Sequence, residues 1–343
     1  MTEERKNPLL GAAIVAVAVL SCAGMLATGV AMLRAPKSAT PADDLIRRLD
    51  GIHGMPVTAP DCGAVFRGEQ PVVVLVMGQS NAANHADPAN AAAPPIAPMP
   101  VLHEGGCGLS GAPLPGGTGT GGSLWPAVNQ ALHGRWQGHP IVWAVIAVEG
   151  SSIGEWTADG PLRKHWQTQV DRIKGTRWPV AAVLWQQGEA DARDRTAMAD
   201  YRDALAALRA GVAARGVDAP WWLARSTYCP PTDGGQVREA VRELLVIPGS
   251  GFVEGPDTDK LSIPLRNGCH FTAAGAAQAA TLWAQALAPA AAASGAAIGA
   301  TANSGGSNAS ARVGVGASVG AGTAESTASS DAAKAEASAP SSR

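Results

Sequence analysis

Two side chains far apart in the sequence could together attack an ester bond. Ser80 follows Gly78 and Gln79 at the end of an apolar segment, and His270 stands near the end of the globular sequence. A serine hydroxyl becomes a nucleophile when an imidazole accepts its proton, and backbone N–H groups at a tight turn can stabilise the oxyanion that forms. Taken without His270, Ser80 would be read simply as the cap of the next helix.

The segments around these residues predict the frame that must position them. Four segments read as strands buried on both faces of a sheet: residues 71–77, 140–148, 180–186 and 220–226. Helical segments follow at residues 196–209, 236–245 and 272–287, with Thr272 as a cap. This alternation predicts an α/β fold, a three-layer α/β/α sandwich of flavodoxin-like type with a mainly parallel five-stranded sheet. Its site should lie at the carboxyl ends of the strands.

Four sequence blocks stand at those strand ends or before the last helix. They are GQSN at 78–81, GSSIGEW at 150–156, WQQGEAD at 185–191 and NGCHFTAAG at 267–275. Together they resemble the SGNH hydrolase superfamily, and within it the sialate O-acetylesterase-like branch of carbohydrate acetylesterases. The segment PLPGGTGTGGSLWP at 113–126 is similar to that branch as well. The resemblance covers about residues 70–288.

The resemblance implies a role for each matching position. Ser80 is the expected nucleophile and His270 the expected general base. The expected oxyanion hole comprises the N–H groups of Ser80 and Gly150 and the side-chain amide of Gln187, although a glutamine at a strand end also commonly bonds to backbone. The candidate contacts to substrate are Asn81, Trp125, Ser151, Trp156 and Glu189; core positions are the alternative for both tryptophans.

Asn267 is a departure from the family pattern, which has Asp three residues before the histidine. An amide oxygen can accept the imidazole N–H, but it does not offset the imidazolium charge, and in a serine protease this exchange costs about 10⁴-fold in rate. Three alternatives remain open: a Ser-His-Asn site, a carboxylate supplied by Asp257 or Asp259, or a weakened or inactive site.

The expected activity is that of a serine esterase that removes O-acetyl or other short O-acyl groups from a carbohydrate, without a metal or organic cofactor. A carbohydrate O-acyltransferase would use the same residues with a sugar hydroxyl in place of water. A non-catalytic carbohydrate-binding module with a degenerate triad is the third alternative. A competing Gly-x-Ser-x-Gly pattern makes Ser152 a rival nucleophile, but only one clear strand besides its own precedes it.

The two ends of the 343-residue chain differ from its centre. After a short tail at 1–7, residues 8–33 are uncharged and long enough to span a bilayer, which predicts a single-pass signal anchor with the catalytic domain in the periplasm or outside the cell. We expect a stalk at 34–68, the esterase domain at 69–288 and a disordered Ala/Ser/Gly-rich tail at 289–343. The net charge of −2 gives no bulk attraction to nucleic acid.

Four cysteines follow the apolar segment, at positions 62, 107, 229 and 269. They contain no CxxC pair, which argues against a zinc site. Three disulfide pairings are possible, and we expect Cys62–Cys107 and Cys229–Cys269. Four buried free thiols are the alternative. The glycine-rich segment 105–122 lacks the ending of a phosphate loop and is expected to be a flexible loop.

Overall fold

The structure is a computed structural model that describes residues 40–59, 61–88 and 96–293. The predicted anchor at 8–33 and all but the first five residues of the predicted tail lie outside this part of the chain. Among the helices within it, none combines the length and the apolar character needed to cross a bilayer.

A mainly parallel sheet forms the centre of the domain. Its strands are β1 (Val72–Gly78), β2 (Met99–His103), β3 (Gly106–Ser110), β4 (Arg135–Trp136), β5 (His139–Ala147), β6 (Val180–Gln186), β7 (Trp221–Arg225) and β8 (Phe252–Asp257). They lie in the order β3-β2-β5-β1-β6-β7-β8, and β4 pairs with β5. All neighbours from β2 to β8 in this order are parallel, and only β3 and β4 are antiparallel to their partners. The predicted α/β fold is confirmed.

The sheet is larger than the five strands expected, because strands at its edges do not have the composition of buried parallel strands. β3 has the sequence GCGLS, and β8 has the sequence FVEGPD with Val253 and Glu254 exposed. Glycine, proline and charged residues lower β propensity, so such segments read as loops. The strands predicted from apolar runs are the central ones, where both faces are buried.

Helices cover both faces of this sheet. They are α1 (Pro41–Asp50), α2 (Gly63–Phe66), α3 (Trp125–Ala131), α4 (Arg163–Gly175), α5 (Glu189–Asp194), α6 (Met198–Ala214), α7 (Gly235–Val246) and α8 (Ala273–Ala292). Thr272 caps α8 as expected, since its hydroxyl accepts from the Gly275 N–H at 3.2 Å. A two-stranded hairpin of β9 (Arg266–Asn267) and β10 (His270–Phe271) precedes α8.

Alternating side chains of β1 enter two separate hydrophobic cores. Val73, Leu75 and Met77 pack on one face, together with residues of α4, α6 and α7. Val72, Val74 and Val76 pack on the other face, together with residues of α3 and α8. Successive residues of a strand point to opposite faces, so a fully apolar strand requires a layer of helices on each side. This is the three-layer arrangement.

The segment predicted to be a stalk, 34–68, packs on the domain from residue 41 onward. α1 begins at Thr40 with a capping box, and its side chains Leu45 and Leu49 contact the core. Arg48 is buried and pairs with Asp44 and Glu155. The folded unit therefore begins well before the expected boundary at residue 69, because a single short helix carries enough apolar side chains to dock.

Both predicted disulfides are present, Cys62–Cys107 and Cys229–Cys269. The first joins the start of α2 to β3 at one edge of the sheet. The second joins the chain after β7 to the turn of the β9–β10 hairpin. The first disulfide therefore fixes the segment before α2 to an edge strand of the sheet, and the second fixes the loop after β7 to the β9–β10 hairpin.

The glycine-rich segment 105–122 is packed more closely than a flexible loop would be. Its first part forms β3, and its second part exchanges backbone hydrogen bonds of 2.7–3.1 Å with residues 84–86. At Gly119, where φ is +86°, an added Cβ would lie 2.5 Å from the His85 ring and 2.6 Å from the Asn84 carbonyl oxygen. Glycine is needed there because the two segments touch through their backbones.

Candidate active site

Ser80 lies in a sharp turn directly after β1. Gly78 has a φ of +145°, and an added Cβ would lie 2.1 Å from the carbonyl oxygen of Gln186 on β6. Only glycine fits this close approach, so the chain can turn at once into the short 3₁₀ helix Ser80–Ala82. The Gln79 side-chain oxygen then accepts from the Ala190 N–H at 3.1 Å, which fixes the turn to the start of α5.

His270 is held on both sides by the segment that follows Ser80. The Asn81 side-chain amide donates to the carbonyl oxygen of Cys269 at 3.0 Å, and the Asp87 N–H donates to the carbonyl oxygen of Phe271 at 2.9 Å. These two bonds bring the two expected catalytic segments together. Within the described residues no hydrogen bond joins the Ser80 hydroxyl to the His270 ring; catalytic hydrogen bonds commonly tighten only when substrate is bound.

The surroundings of His270 favour a neutral imidazole. The ring is half-buried, and its centroid lies 5.2 Å from that of His85. Burial lowers the pKa of His270, while the carboxylates of Glu149 and Asp87 act in the opposite direction. A general base must be unprotonated, so the net direction of this shift suits that role near neutral pH.

A second histidine and a glutamate complete this side of the site. The His85 Nε2 atom lies 3.4 Å from a Glu149 carboxylate oxygen and 3.2 Å from the Thr118 hydroxyl. Burial lowers the pKa of His85, and the nearby charge of His270 lowers it further. Two imidazoles this close do not both ionise readily, and Glu149 is the carboxylate that favours a proton on either ring.

Asn267, the residue expected to orient His270, lies directly opposite it across the β9–β10 hairpin. Cross-strand partners share a face, so the two side chains are neighbours. Asn267 is exposed, and its amide makes no hydrogen bond to the ring within the described residues.

Asp257 and Asp259, the alternative carboxylates, are bound to other groups. Both pair with Arg238, at 2.8 Å and 2.7 Å. Asp259 also accepts from the N–H groups of Thr227 and Tyr228. A carboxylate with these partners is not placed to orient the imidazole, so the structure does not support this alternative.

The side-chain amide of Gln187, an expected donor of the oxyanion hole, is hydrogen-bonded within the fold. Its nitrogen donates to the Ser151 carbonyl oxygen at 2.9 Å and to the Asp191 carboxylate at 2.5 Å, and its oxygen accepts from the Tyr201 hydroxyl. Gln187 is fully buried, and an amide nitrogen has only two protons. Both are therefore used inside the fold.

The N–H groups of Ser80 and Gly150, the other expected oxyanion donors, are free to bind an oxyanion, unlike the amide of Gln187. Neither donates to a backbone or side-chain acceptor within the described part of the chain. Gly150 is exposed at the end of β5, next to β1, and has a φ of +64°. Two unengaged N–H groups at neighbouring strand ends are a suitable pair of donors for an oxyanion.

Glu189 is a buried carboxyl group behind this site. One oxygen accepts from Asn81 at 2.6 Å and from the Ser226 hydroxyl at 2.8 Å, while the other has no partner among the described residues. Burial raises the pKa of Glu189 to about 7. Glu189 therefore contacts Asn81, and through it the His270 segment, rather than a position open to substrate.

Residues 119–288 match the sequence profile of a family described as carbohydrate esterase, sialic acid-specific acetylesterase. The resemblance to the sialate O-acetylesterase-like SGNH hydrolases is confirmed. The match supports assignment of this acetylesterase-like domain to the carboxylic ester hydrolases. No curated protein matches the chain significantly.

One solved structure shows the fold of the acetylesterase-like domain. A protein from Arabidopsis thaliana superposes with a TM-score of 0.52 at 21% identity, over 64% of this chain and 98% of that one, which shows the fold alone. A carbohydrate acetylesterase from Xanthomonas citri has a TM-score of 0.46 at 19% identity, over 64% of this chain and 56% of that one. NanS has a TM-score of 0.43 at 18% identity, over 68% and 98%. The last two scores add nothing to the fold assignment.

Three candidate substrate contacts lie in the core of the acetylesterase-like domain. Trp125, Ser151 and Trp156 are fully buried. The Trp125 indole donates to the Ala82 carbonyl oxygen at 2.7 Å, and the Trp156 indole donates to the Ser151 hydroxyl at 3.0 Å. A buried ring offers no face to a sugar, so these three side chains are part of the core and do not contact substrate.

The rival nucleophile Ser152 precedes the 3₁₀ helix Ile153–Trp156 as its cap residue.

Two polar groups near His270, Glu149 and Thr118, are not among the residues expected from the sequence. Glu149 follows β5, and Thr118 lies in the glycine-rich segment. The Glu149 N–H donates to the Thr118 hydroxyl at 2.9 Å. The position of Glu149 directly after a central strand was a usable signal. Thr118 had none, because its role depends on how the glycine-rich segment packs.

Proposed function

We propose that this chain is a serine esterase that removes O-acetyl groups from a carbohydrate, with Ser80 as nucleophile and His270 as general base. The observation that carries this proposal is the pair of hydrogen bonds from Asn81 and Asp87 to the two neighbours of His270. They bring the histidine segment to the turn that bears the serine. The family match supports an acylated carbohydrate as the substrate class.

In the first half of the reaction, the Ser80 hydroxyl oxygen attacks the carbonyl carbon of the ester while the His270 imidazole accepts its proton. The tetrahedral oxyanion takes hydrogen bonds from the N–H groups of Ser80 and Gly150, each worth about 3 kcal/mol in comparable enzymes. The intermediate then collapses and the C–O bond to the sugar breaks. His270 donates its proton to the leaving sugar oxygen, which leaves an acetyl group on Ser80.

In the second half, His270 accepts a proton from water as the water oxygen attacks the acetyl carbonyl. The same N–H groups bind the second oxyanion. Collapse breaks the bond to Ser80, the serine oxygen recovers its proton from His270, and acetate leaves. We propose that Glu149 favours the imidazolium in both halves, with Asn267 as the nearest side chain that could orient the ring.

We also propose that the reaction takes place outside the cytoplasm. Two disulfides among the described residues fit an oxidising compartment. The uncharged segment 8–33 would then serve as the membrane anchor.

The test is hydrolysis of 4-nitrophenyl acetate and of O-acetylated sugars by the purified full chain, in detergent because of the predicted anchor. We expect Ser80→Ala to lower kcat by at least about 10³-fold, and His270→Ala to do the same. Ser152→Ala is the matched control, since it changes the serine of the rival pattern, and it should stay within a few-fold of the wild type.

Labelling with a serine-directed phosphonate separates the alternatives. We expect one adduct, located on Ser80 by mass spectrometry. A folded protein that takes no label and releases no acetate would instead be a binding module. Transfer of acetyl to an added sugar in preference to water would make it an acyltransferase, and loss of activity in Ser152→Ala but not Ser80→Ala would overturn the site.

A further inference from the structure

An open cavity of about 510 Å³ lies beside the expected catalytic residues, at the carboxyl ends of β7 and β8. We call it the lateral pocket and define it by residues 227–232 and Gly234 after β7, by Arg238 on α7, by Asp257 at the end of β8, and by Asp259 and Lys260 after that strand. None of the expected catalytic residues lines it. Ligands of α/β proteins bind at this edge of the sheet, so its location is that of a binding site.

The wall of the lateral pocket is continuous with the loop that carries His270. Cys229, in the wall, is bonded to Cys269 with a Cα–Cα distance of 4.3 Å, and His270 is the next residue. Tyr228, also in the wall, has the Arg266 guanidinium 5.3 Å from its ring centroid. Arg266 in turn donates to the Cys269 carbonyl oxygen at 2.8 Å. A molecule that reacts at His270 and extends past Cys269 would therefore enter this pocket.

The charges of the lateral pocket balance one another. Arg238 binds Asp257 through two hydrogen bonds and Asp259 through a third, at distances of 2.7–2.9 Å. With Lys260, two cations face two carboxylates, so the wall carries no net charge. An anionic ligand would meet both carboxylates, and an apolar ligand would remove water from these four charged groups.

An uncharged sugar suits the wall of the lateral pocket better than an anionic or an apolar ligand does. Its hydroxyl groups can donate to the carboxylate oxygens and accept from the Lys260 ammonium, and the Tyr228 ring offers an apolar face. Arg238, Asp257 and Asp259 already hold one another in place, so binding would cost little ordering of these three side chains.

We propose that the lateral pocket is a subsite for an uncharged sugar unit linked to the acetylated one, so that the preferred substrate is an O-acetylated neutral oligosaccharide rather than a monosaccharide. This inference rests on the proposed esterase function. It adds the substrate class and the residues that select it. The Lys260 ammonium and the Tyr228 hydroxyl are the groups expected to contact the linked unit.

The test compares kcat/KM for partially acetylated oligosaccharides of xylose, glucose and N-acetylglucosamine with the values for the acetylated monosaccharides and for 4-nitrophenyl acetate. The variants are Lys260→Ala and Tyr228→Phe, which remove one polar group each. We expect each to lower the preference for at least one oligosaccharide over 4-nitrophenyl acetate by about three- to tenfold. Lys164→Ala, an exposed lysine on α4, is the matched control and should leave the preference unchanged.

The outcomes separate this inference from the esterase proposal. If the wild type shows no preference for any oligosaccharide, or if neither variant alters that preference, the subsite is overturned while the esterase stands. Preference for an O-acetylated sialic acid over all neutral oligosaccharides would overturn it too. If no ester is hydrolysed, the esterase proposal fails, and calorimetric titration of the unacetylated oligosaccharides into the wild type and Lys260→Ala tests the pocket directly. Thermal melting confirms that each variant is folded.

Discussion

Asn81 donates a hydrogen bond to the carbonyl oxygen of Cys269, so the residue after the expected nucleophile holds the residue before the expected base. The same amide donates to Glu189, which begins α5 after β6 and also accepts from Ser226 after β7. The segments after three strands and the β9–β10 hairpin are thereby linked through two side chains, those of Asn81 and Glu189. Asn81 therefore joins the segments that carry Ser80 and His270, whose side chains share no direct hydrogen bond among the described residues.

Substitution of Asn81 should therefore impair turnover more than folding. Asn81→Ala removes both hydrogen bonds, which we expect to cost about 2 kcal/mol of stability. A displacement of about 1 Å at the histidine should lower kcat by about 10²-fold with less effect on KM. The measurements are the urea midpoint and steady-state kinetics with 4-nitrophenyl acetate.

Asn129→Ala is the matched control for that variant. The Asn129 oxygen accepts from the Trp143 indole at 2.9 Å, on α3 and away from His270. Its loss should lower stability without changing kcat. Equal losses of kcat in the two variants would show that Asn81 acts only on general stability.

The two disulfides should affect stability equally and activity unequally. They close loops of nearly the same length, with sequence separations of 45 and 40 residues, for which chain entropy gives about 4 kcal/mol each. The pair Cys229→Ser/Cys269→Ser should also lower kcat, because Cys269 adjoins His270, whereas Cys62→Ser/Cys107→Ser should leave kcat unchanged. Both pairs are compared by thermal melting, then by kinetics at a temperature where both are folded. Unchanged kcat in the first pair would contradict this.

The pH dependence of kcat/KM should report His270. Burial lowers its pKa, so we expect the acid limb of the profile to lie below the usual histidine value of about 6.5. The Glu149 carboxylate favours the imidazolium, so Glu149→Gln should lower the pKa of His270 further and move the limb to lower pH. Glu104→Gln, which removes an exposed partner of Arg172, is the control. A limb that moves to higher pH in Glu149→Gln would refute the assignment.

Glu189 should make stability depend on pH in a defined window. Its pKa is about 7 in the folded chain and about 4.3 in an unfolded one, so the folded state binds the extra proton between these values. Stability should consequently fall as pH rises from about 4.3 to about 7, and stay level above that. Glu189→Gln does not titrate, so it should gain on the wild type across this window, by up to about 3 kcal/mol at pH 8.

Urea midpoints at pH 5 and pH 8 test this expectation. Glu239→Gln is the control, because its carboxylate is exposed beside Arg242 and should show no such gain. A variant at Glu189 that is less stable than the wild type at pH 8 would mean that the carboxylate contributes more through its hydrogen bonds than its burial costs.

The parts of the fold that could be predicted from sequence are those marked by a pattern of neighbouring residues, such as an apolar run or a helix cap. Buried parallel strands are continuously apolar, so the central strands and the residues that follow them, including Ser80 and Gly150, could be found without coordinates. The turn before α8 could be found because Thr272 is a helix cap. The position of Ser80 at the carboxyl edge of the sheet then follows from parallel topology, whereas that of His270 came from the family resemblance.

The remaining features depend on contacts between distant segments. Gln187 was expected to face substrate, but its orientation is set by Tyr201 on another helix and by the Ser151 carbonyl, which no local pattern reveals. Trp125 and Trp156 were candidates for sugar contact on the basis of residue type, and their burial depends on the packing of whole layers. α1 was read as a stalk because a short helix gives little sign of what it will pack against.

Gly119 limits how the proposed substrate specificity could change. Any side chain there would collide with His85 and with the backbone of Asn84, so that flank of the cleft tolerates almost no variation. Within the loop 227–234, by contrast, Pro230, Pro231 and Asp233 are exposed, so exchange at these positions should cost less than at Gly119. Divergence toward new substrates, in nature or in directed evolution, should accumulate on that loop and leave the glycine flank unaltered.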